Sequence, residues 1–116
     1  IAAIKDMVVR GAPLIGITAA YGMILATKNS SSVHELLQKA KEIKESRPTA
    51  INLNWAVDLI LKDINNLSDL KEILKVIEKR AVWIHEDDEA RCRKMGEHGS
   101  VLVKKGAGIL TICNTG

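Results

Sequence analysis

The feature that most limits the folds open to this chain is the run from Pro13 to about Ala26, which is apolar on nearly every face at helical spacing. A helix of this kind has to lie inside a domain with other helices around it. The run falls short of the ~20 residues that cross a bilayer, is broken by Gly16, Thr18 and Gly22, and lacks a signal-peptide context. A buried helix is therefore expected, with no membrane partner. Ala12, Gly16 and Ala20 recur every fourth residue. This stripe of small side chains lets another backbone come close, which is a packing role first, although it also makes room for a ligand near Gly16.

The stretch that opens this helix is Arg10-Gly11-Ala12-Pro13-Leu14-Ile15-Gly16. Pro13 suits a first helical turn, where its missing N–H costs nothing, and Gly11 frees the turn and lets a ligand approach the backbone. The N–H groups that follow have no intrahelical acceptor. Together with the positive end of the helix dipole and the planar fork of Arg10, they form an anion seat suited to phosphate. The same local pattern serves a helix–helix corner with a surface arginine equally well.

Hydrophobic residues at 47% and charged residues at 27% of 116 suit a single globular domain. The net charge of +3 is dispersed among acidic neighbours and forms no block. Aromatic residues are only 3%, with no Phe, so base-stacking platforms are lacking and nucleic acid is not an expected partner. Cys92 and Cys113 show neither metal-ligand spacing nor a disulfide framework, which points to a reducing compartment and a cytoplasmic location. The opening Ile1-Ala2-Ala3 and the end directly after a strand-like run lead us to expect part of a longer protein.

Residues 1–9 read as the end of a short amphipathic helix. Ser32 with Glu35 forms a capping box for a surface helix that must stop before Pro48, leaving Arg47 on a bend. A further helix spans about Ala50 to Asn65, with Asp58 and Lys62 paired four apart and Trp55 at an edge. Ser68 is expected to cap a last helix through Leu70, Ile77 and Ile84. That helix continues, bent or broken at Gly96 or Gly99, to Lys104-Lys105 with Gly106 as its C-cap. The cluster His85-Glu86-Asp87-Asp88-Glu89 concentrates possible metal ligands. Pairing of Asp87 with Arg91 and of Glu89 with Arg93 makes it a solvated helical face more simply, and no metal is expected. His34 and His98 have no partner at catalytic spacing.

After Gly106-Ala107-Gly108 the run Ile109-Leu110-Thr111-Ile112-Cys113 is short, apolar and rich in β-branched residues, as in a buried strand. Asn114-Thr115-Gly116 would follow at its carboxyl end, where open α/β sheets place their ligands. Cys113 is thus placed for chemistry, although a small buried thiol in a strand is the commoner situation for a cysteine. Cys92, mid-helix among charged residues, is given no role.

Three separated pieces agree with one family: Ile4-Lys5-Asp6-Met7-Val8-Val9-Arg10-Gly11-Ala12-Pro13 with Ile15-Gly16, then Ser46-Arg47-Pro48-Thr49-Ala50 with Asn52-Leu53-Trp55-Ala56, and Leu110-Thr111-Ile112-Cys113-Asn114-Thr115-Gly116. In order and spacing they resemble the methylthioribose-1-phosphate isomerase family, with weaker matches at His85-Glu86-Asp87 and Gly96-Glu97-His98-Gly99. That family is similar in fold to the regulatory subunits of translation initiation factor 2B and to ribose-1,5-bisphosphate isomerase. The resemblance implies a mostly α fold: a helical N-terminal domain over 1–105, then at 106–116 the first strand of a truncated Rossmann-like α/β domain. Leu14-Ile15, where small residues are usual, and Ile112 depart from the family pattern.

The resemblance further implies substrate-binding roles for Arg10, Gly11, Ala12 and Arg47, a catalytic role for Cys113, and a catalytic Asp beyond Gly116. It implies a cofactor-independent aldose–ketose isomerase of methionine salvage, a homodimer, converting 5-methylthioribose 1-phosphate to 5-methylthioribulose 1-phosphate. On this reading the 116 residues alone are inactive. Hydride transfer and an enediol-type route stay open. The alternatives are another sugar-phosphate isomerase, such as one acting on ribose 1,5-bisphosphate, and a regulatory subunit related to initiation factor 2B that keeps the helical domain without catalysis.

Overall fold

The computed structural model describes residues 1–113. Five helices follow in order: α1 (Ala2–Lys5), α2 (Ala12–Lys28), α3 (Val33–Glu45), α4 (Ile51–Ile64) and α5 (Leu70–Ser100). The apolar run forms α2, which packs against α3, α4 and α5 and is the centre of the bundle. Ala19, Ala20 and Met23 are fully enclosed, and the buried Thr27 hydroxyl is satisfied by donating to the Met23 carbonyl at 2.8 Å. No helix among the described residues is long and apolar enough to cross a membrane.

The small-residue stripe has a definite use at Gly16. A Cβ added there would lie 2.8 Å from the Asn52 backbone oxygen, so α2 and α4 touch backbone to backbone. Leu53, Ala56, Val57 and Ile60 bury the rest of that face of α4. Arg80 pairs with Asp63 across α4 and α5 and lies 5.0 Å over the Trp83 ring. Asp58 is bound by Lys44 of α3 at 2.7 Å rather than by Lys62, so that carboxylate ties two helices instead of bracing its own.

The ends of α3 follow the capping rules. Ser32 accepts from the Glu35 N–H at 3.2 Å, while the Glu35 carboxylate reaches the Ser31 N–H at 2.7 Å, one residue before the expected partner. The Lys39 ammonium, with the Ser31 donors next, holds the Glu35 carboxyl down at about 2. For α5 the cap is Asp69, not Ser68: its carboxylate accepts from the Lys71 and Glu72 N–H groups. A carboxylate at this position also meets the helix dipole favourably.

Helix α5 runs unbroken through Gly96 and Gly99 and ends at Ser100, before Lys104-Lys105. An isolated glycine costs a helix only about 1 kcal/mol, less than abandoning its hydrogen-bond ladder. Gly106 lies beyond the helix, in a turn with φ +81°. Ile73, Ile77, Ala81 and Ile84 seat the first half of α5 on the bundle, whereas Glu89 to Lys94 are exposed. The fold is mostly α, but among the described residues there is no strand. Ile109, Leu110 and Ile112 are exposed instead of buried. A strand needs a neighbouring edge to take its N–H and C=O groups, and residues 1–113 offer none. The expected ligand-side turn at Asn114-Thr115-Gly116 lies outside the described residues.

Two stability measurements check this packing. Gly16→Ala should destabilise the fold by about 1–3 kcal/mol through overpacking against Asn52, whereas Gly96→Ala, with nothing within 4 Å, should be neutral or stabilising by up to ~1 kcal/mol; urea unfolding reads both. Because the Glu35 carboxyl is depressed from 4.5 to about 2, its contribution is complete above 4.5 and is lost as pH falls through about 2. The thermal-stability advantage of the wild type over Glu35→Gln should therefore narrow across that interval.

Candidate functional site

Arg10, Gly11, Ala12, Arg47 and Cys113 come together around one open cavity of about 520 Å³, completed by Met7, Ile15, Thr49, Ala50, Ile51 and Asn52. The volume suits a small ligand. Residues more than a hundred positions apart meet here because the chain following α5 carries Cys113 to the start of α2.

Two helices begin at this cavity, and among the described residues neither has a side-chain cap. Gly11 precedes α2 with φ +96° and ψ +126°, a conformation that costs L side chains heavily, and it offers no side-chain acceptor. The Ile15 N–H is the first to find a helical carbonyl, that of Gly11 at 3.0 Å, which leaves the earlier donors of the turn facing outward. Ala50 precedes α4 and likewise supplies no cap; there the first bond is from the Leu53 N–H to the Ala50 carbonyl at 3.0 Å. Neither first turn contains an acidic residue. The contrast is with α3 and α5, each capped by a side chain and carrying a glutamate in its first turn.

The charged side chains repeat this asymmetry. Arg80, Arg91 and Arg93 are paired with Asp63, Asp87 and Glu89. Arg10 and Arg47 are the remaining arginines, and among the described residues neither has a carboxylate partner. Both line the cavity, and among the described residues no carboxylate lines it with them. Two guanidinium forks and two positive helix ends thus face one space. Such an arrangement favours a compact, multiply charged anion.

Cys113 does not end a buried strand as its sequence context suggests; it is an exposed residue in a bend. Its φ of +82° and that of Met7, +52°, are the positive values among described non-glycine residues, and both residues line this cavity. Such backbone conformations typically cost of order 1–3 kcal/mol and gather at functional sites. Cys92 is exposed on α5, away from the cavity lining.

The acidic stretch behaves as a helical face. Asp87 pairs with Arg91 at 2.7 Å and Glu89 with Arg93 at 3.2 Å, while His85 Nδ1 meets the Tyr21 hydroxyl at 3.2 Å across α2 and α5. Among the described residues no group of His, Cys, Asp and Glu is arranged to hold a metal ion. A smaller cleft of about 70 Å³, lined by Pro13, Gly16, Asn52, Asp87, Asp88 and Arg91 among others, shares Asn52 with the basic cavity.

Sequence reasoning gave no role to the start of α4. Its signal was an absence: a helix following Pro48-Thr49-Ala50 with no Ser, Thr, Asp or Asn at the cap position itself.

Residues 8–116 match the family described as the Initiation factor 2 subunit family. Methylthioribose-1-phosphate isomerase of Bacillus thuringiensis (strain Al Hakam) is 46% identical over 114 residues, covering 93% of this chain and 32% of the relative. The crystal structure of 5-methylthioribose 1-phosphate isomerase from Pyrococcus horikoshii OT3 superposes with a TM-score of 0.81 at 33% identity, over 87% of this chain and 31% of that one. The crystal structure of the translation initiation factor eIF-2B subunit delta from A. fulgidus gives 0.74 at 34% identity, over 90% and 32%. The chain spans about a third of the length of the curated relatives it matches.

The anion seat is open to direct measurement in the full-length protein. Arg10→Ala and Arg47→Ala should each weaken phosphate or sugar-phosphate binding by roughly tenfold to over a hundredfold, the loss of a charge-assisted hydrogen bond of about 1.5–3 kcal/mol. Calorimetric titration that finds both variants unchanged would remove the seat.

Proposed function

The chain belongs to the Initiation factor 2 subunit family, and we propose that it is the helical N-terminal part of an aldose–ketose isomerase that converts 5-methylthioribose 1-phosphate to 5-methylthioribulose 1-phosphate in methionine salvage. The observation that carries this reading is the convergence of Arg10, Arg47 and two uncapped helix starts with the Cys113 thiol on one cavity. On this proposal the chain after Ser100 leads into a Rossmann-like domain, in which residues 106–116 supply the first strand. The whole protein is a cytoplasmic homodimer that needs no cofactor.

The reaction explains why these residue types belong together. The substrate is locked as a glycosyl phosphate, so the bond between C1 and the ring oxygen must break with a proton delivered to that oxygen. A hydrogen then moves from C2 to C1, and the C2 hydroxyl loses its proton to become the ketone. The phosphate stays attached throughout and serves as the handle. Arg10, Arg47 and the N–H groups at the starts of α2 and α4 hold it, which fixes the sugar against the thiol. Cys113 is suited to give or take one of these protons, opposite an acidic residue from the Rossmann-like domain.

A second reading has its own support, because the eIF-2B subunit delta structure is as similar in sequence as the isomerase structure, at 34% against 33% identity. Under it the helical domain is kept for assembly and the cavity serves no turnover. The thiol decides between them.

Cys113→Ser in the full-length protein should keep the fold and lower turnover by ~10²- to 10⁴-fold, with much less effect on substrate affinity. Cys92→Ser should leave turnover nearly intact. Steady-state assays with circular dichroism as the folding check read both; normal turnover in a folded Cys113→Ser protein would remove the catalytic role of the thiol, and no turnover in the wild-type protein would favour the regulatory subunit.

A further inference from the structure

Asn52 occupies a position the preceding reading does not use. It is the second residue of α4, is half-buried, and lines both the basic cavity and the smaller cleft that carries Asp87 and Asp88. Its backbone is held firmly by the close approach of Gly16. Its side-chain amide has no hydrogen-bond partner among the described residues, whereas the amides of Asn29 and Asn54 donate to the Leu25 and Pro48 carbonyls.

The two cavities differ in sign. The larger gathers Arg10, Arg47 and two positive helix ends; in the smaller, Arg91 pairs with Asp87 and the Asp88 carboxylate is left over, so its balance is negative and disfavours a phosphate. An anion is therefore favoured on the arginine side, and a neutral group able to hydrogen bond suits the seam. A carboxamide offers both donors and an acceptor, which matches a hydroxyl in either role. We infer that Asn52 is the residue that distinguishes a phosphorylated sugar from phosphate alone, by hydrogen bonding a sugar hydroxyl at the seam between the two cavities. This rests on the sugar-phosphate reading of the site. Asn52 is a specificity residue here, with no part in moving protons.

The test uses the full-length protein and two probes, inorganic phosphate and 5-methylthioribose 1-phosphate, with Asn52→Leu and Asn52→Ala. Both variants should bind the sugar phosphate about three- to tenfold more weakly and raise KM to match, as expected for one neutral hydrogen bond. Their affinity for inorganic phosphate should stay at the wild-type value, which also reports that the cavity is folded. Asn52→Ala cannot overfill the cleft and guards against misfolding of the leucine variant. Equal loss for both probes would reduce Asn52 to a packing role, and unchanged sugar-phosphate affinity would overturn the inference while leaving the isomerase standing. A wild-type protein that binds phosphate but no sugar phosphate would sink the isomerase reading and this inference together.

Discussion

The backbone contact between Gly16 and Asn52 is the constraint on which the site depends. It brings the starts of α2 and α4 to one cavity, together with Arg10 and Arg47, so that like charges are gathered instead of dispersed. That gathering is unfavourable. Helix-end electrostatics are worth typically 0.3–1 kcal/mol each, however, whereas burying one large aliphatic side chain contributes about 1.5–3 kcal/mol. The fully enclosed Met23, Leu53, Val57 and Ile60 along the same two helices outweigh the repulsion. The bundle holds its positive ends in place by packing.

How much of this was legible in the sequence differs by feature. The buried helix was plain, because an apolar run without a polar face has one place to go, and the Ser32 cap and the Pro48 stop followed from local chemistry that tertiary structure does not override. Asp69 displaced Ser68 because two adjacent residues could both cap and the carboxylate also meets the helix dipole. Asp58 chose Lys44 over Lys62 because a partner on another helix lay nearer, which no spacing rule could reveal. The strand expected at 109–113 and not found is a different case: β pairing is a property of two segments, and a single run states only a preference. The Arg10 and Arg47 motifs could be singled out separately, but their meeting at one cavity required the fold.

The similarity to both a 5-methylthioribose 1-phosphate isomerase structure and an eIF-2B subunit delta structure has a physical counterpart. The features that set the bundle are packing features: the small stripe on α2 and the aliphatic faces of α4 and α5. The candidate site adds to them two arginines, a thiol and two bare helix ends. A scaffold whose stability and site draw on different residues can keep the first while the second changes.

The bare helix starts also couple occupancy to cohesion. Most helices complete their first turn with a side chain of their own, as α3 and α5 do; α2 and α4 leave theirs to be completed from outside. An anion seated between them would act as a shared cap, bonded to both helices at once and absent from the unfolded chain. Its binding free energy then adds to the stability of the domain, by about 2.7 kcal/mol at a hundredfold excess over Kd. Such an anion would be a structural member of the bundle, and its concentration would set how tightly α2 and α4 are joined.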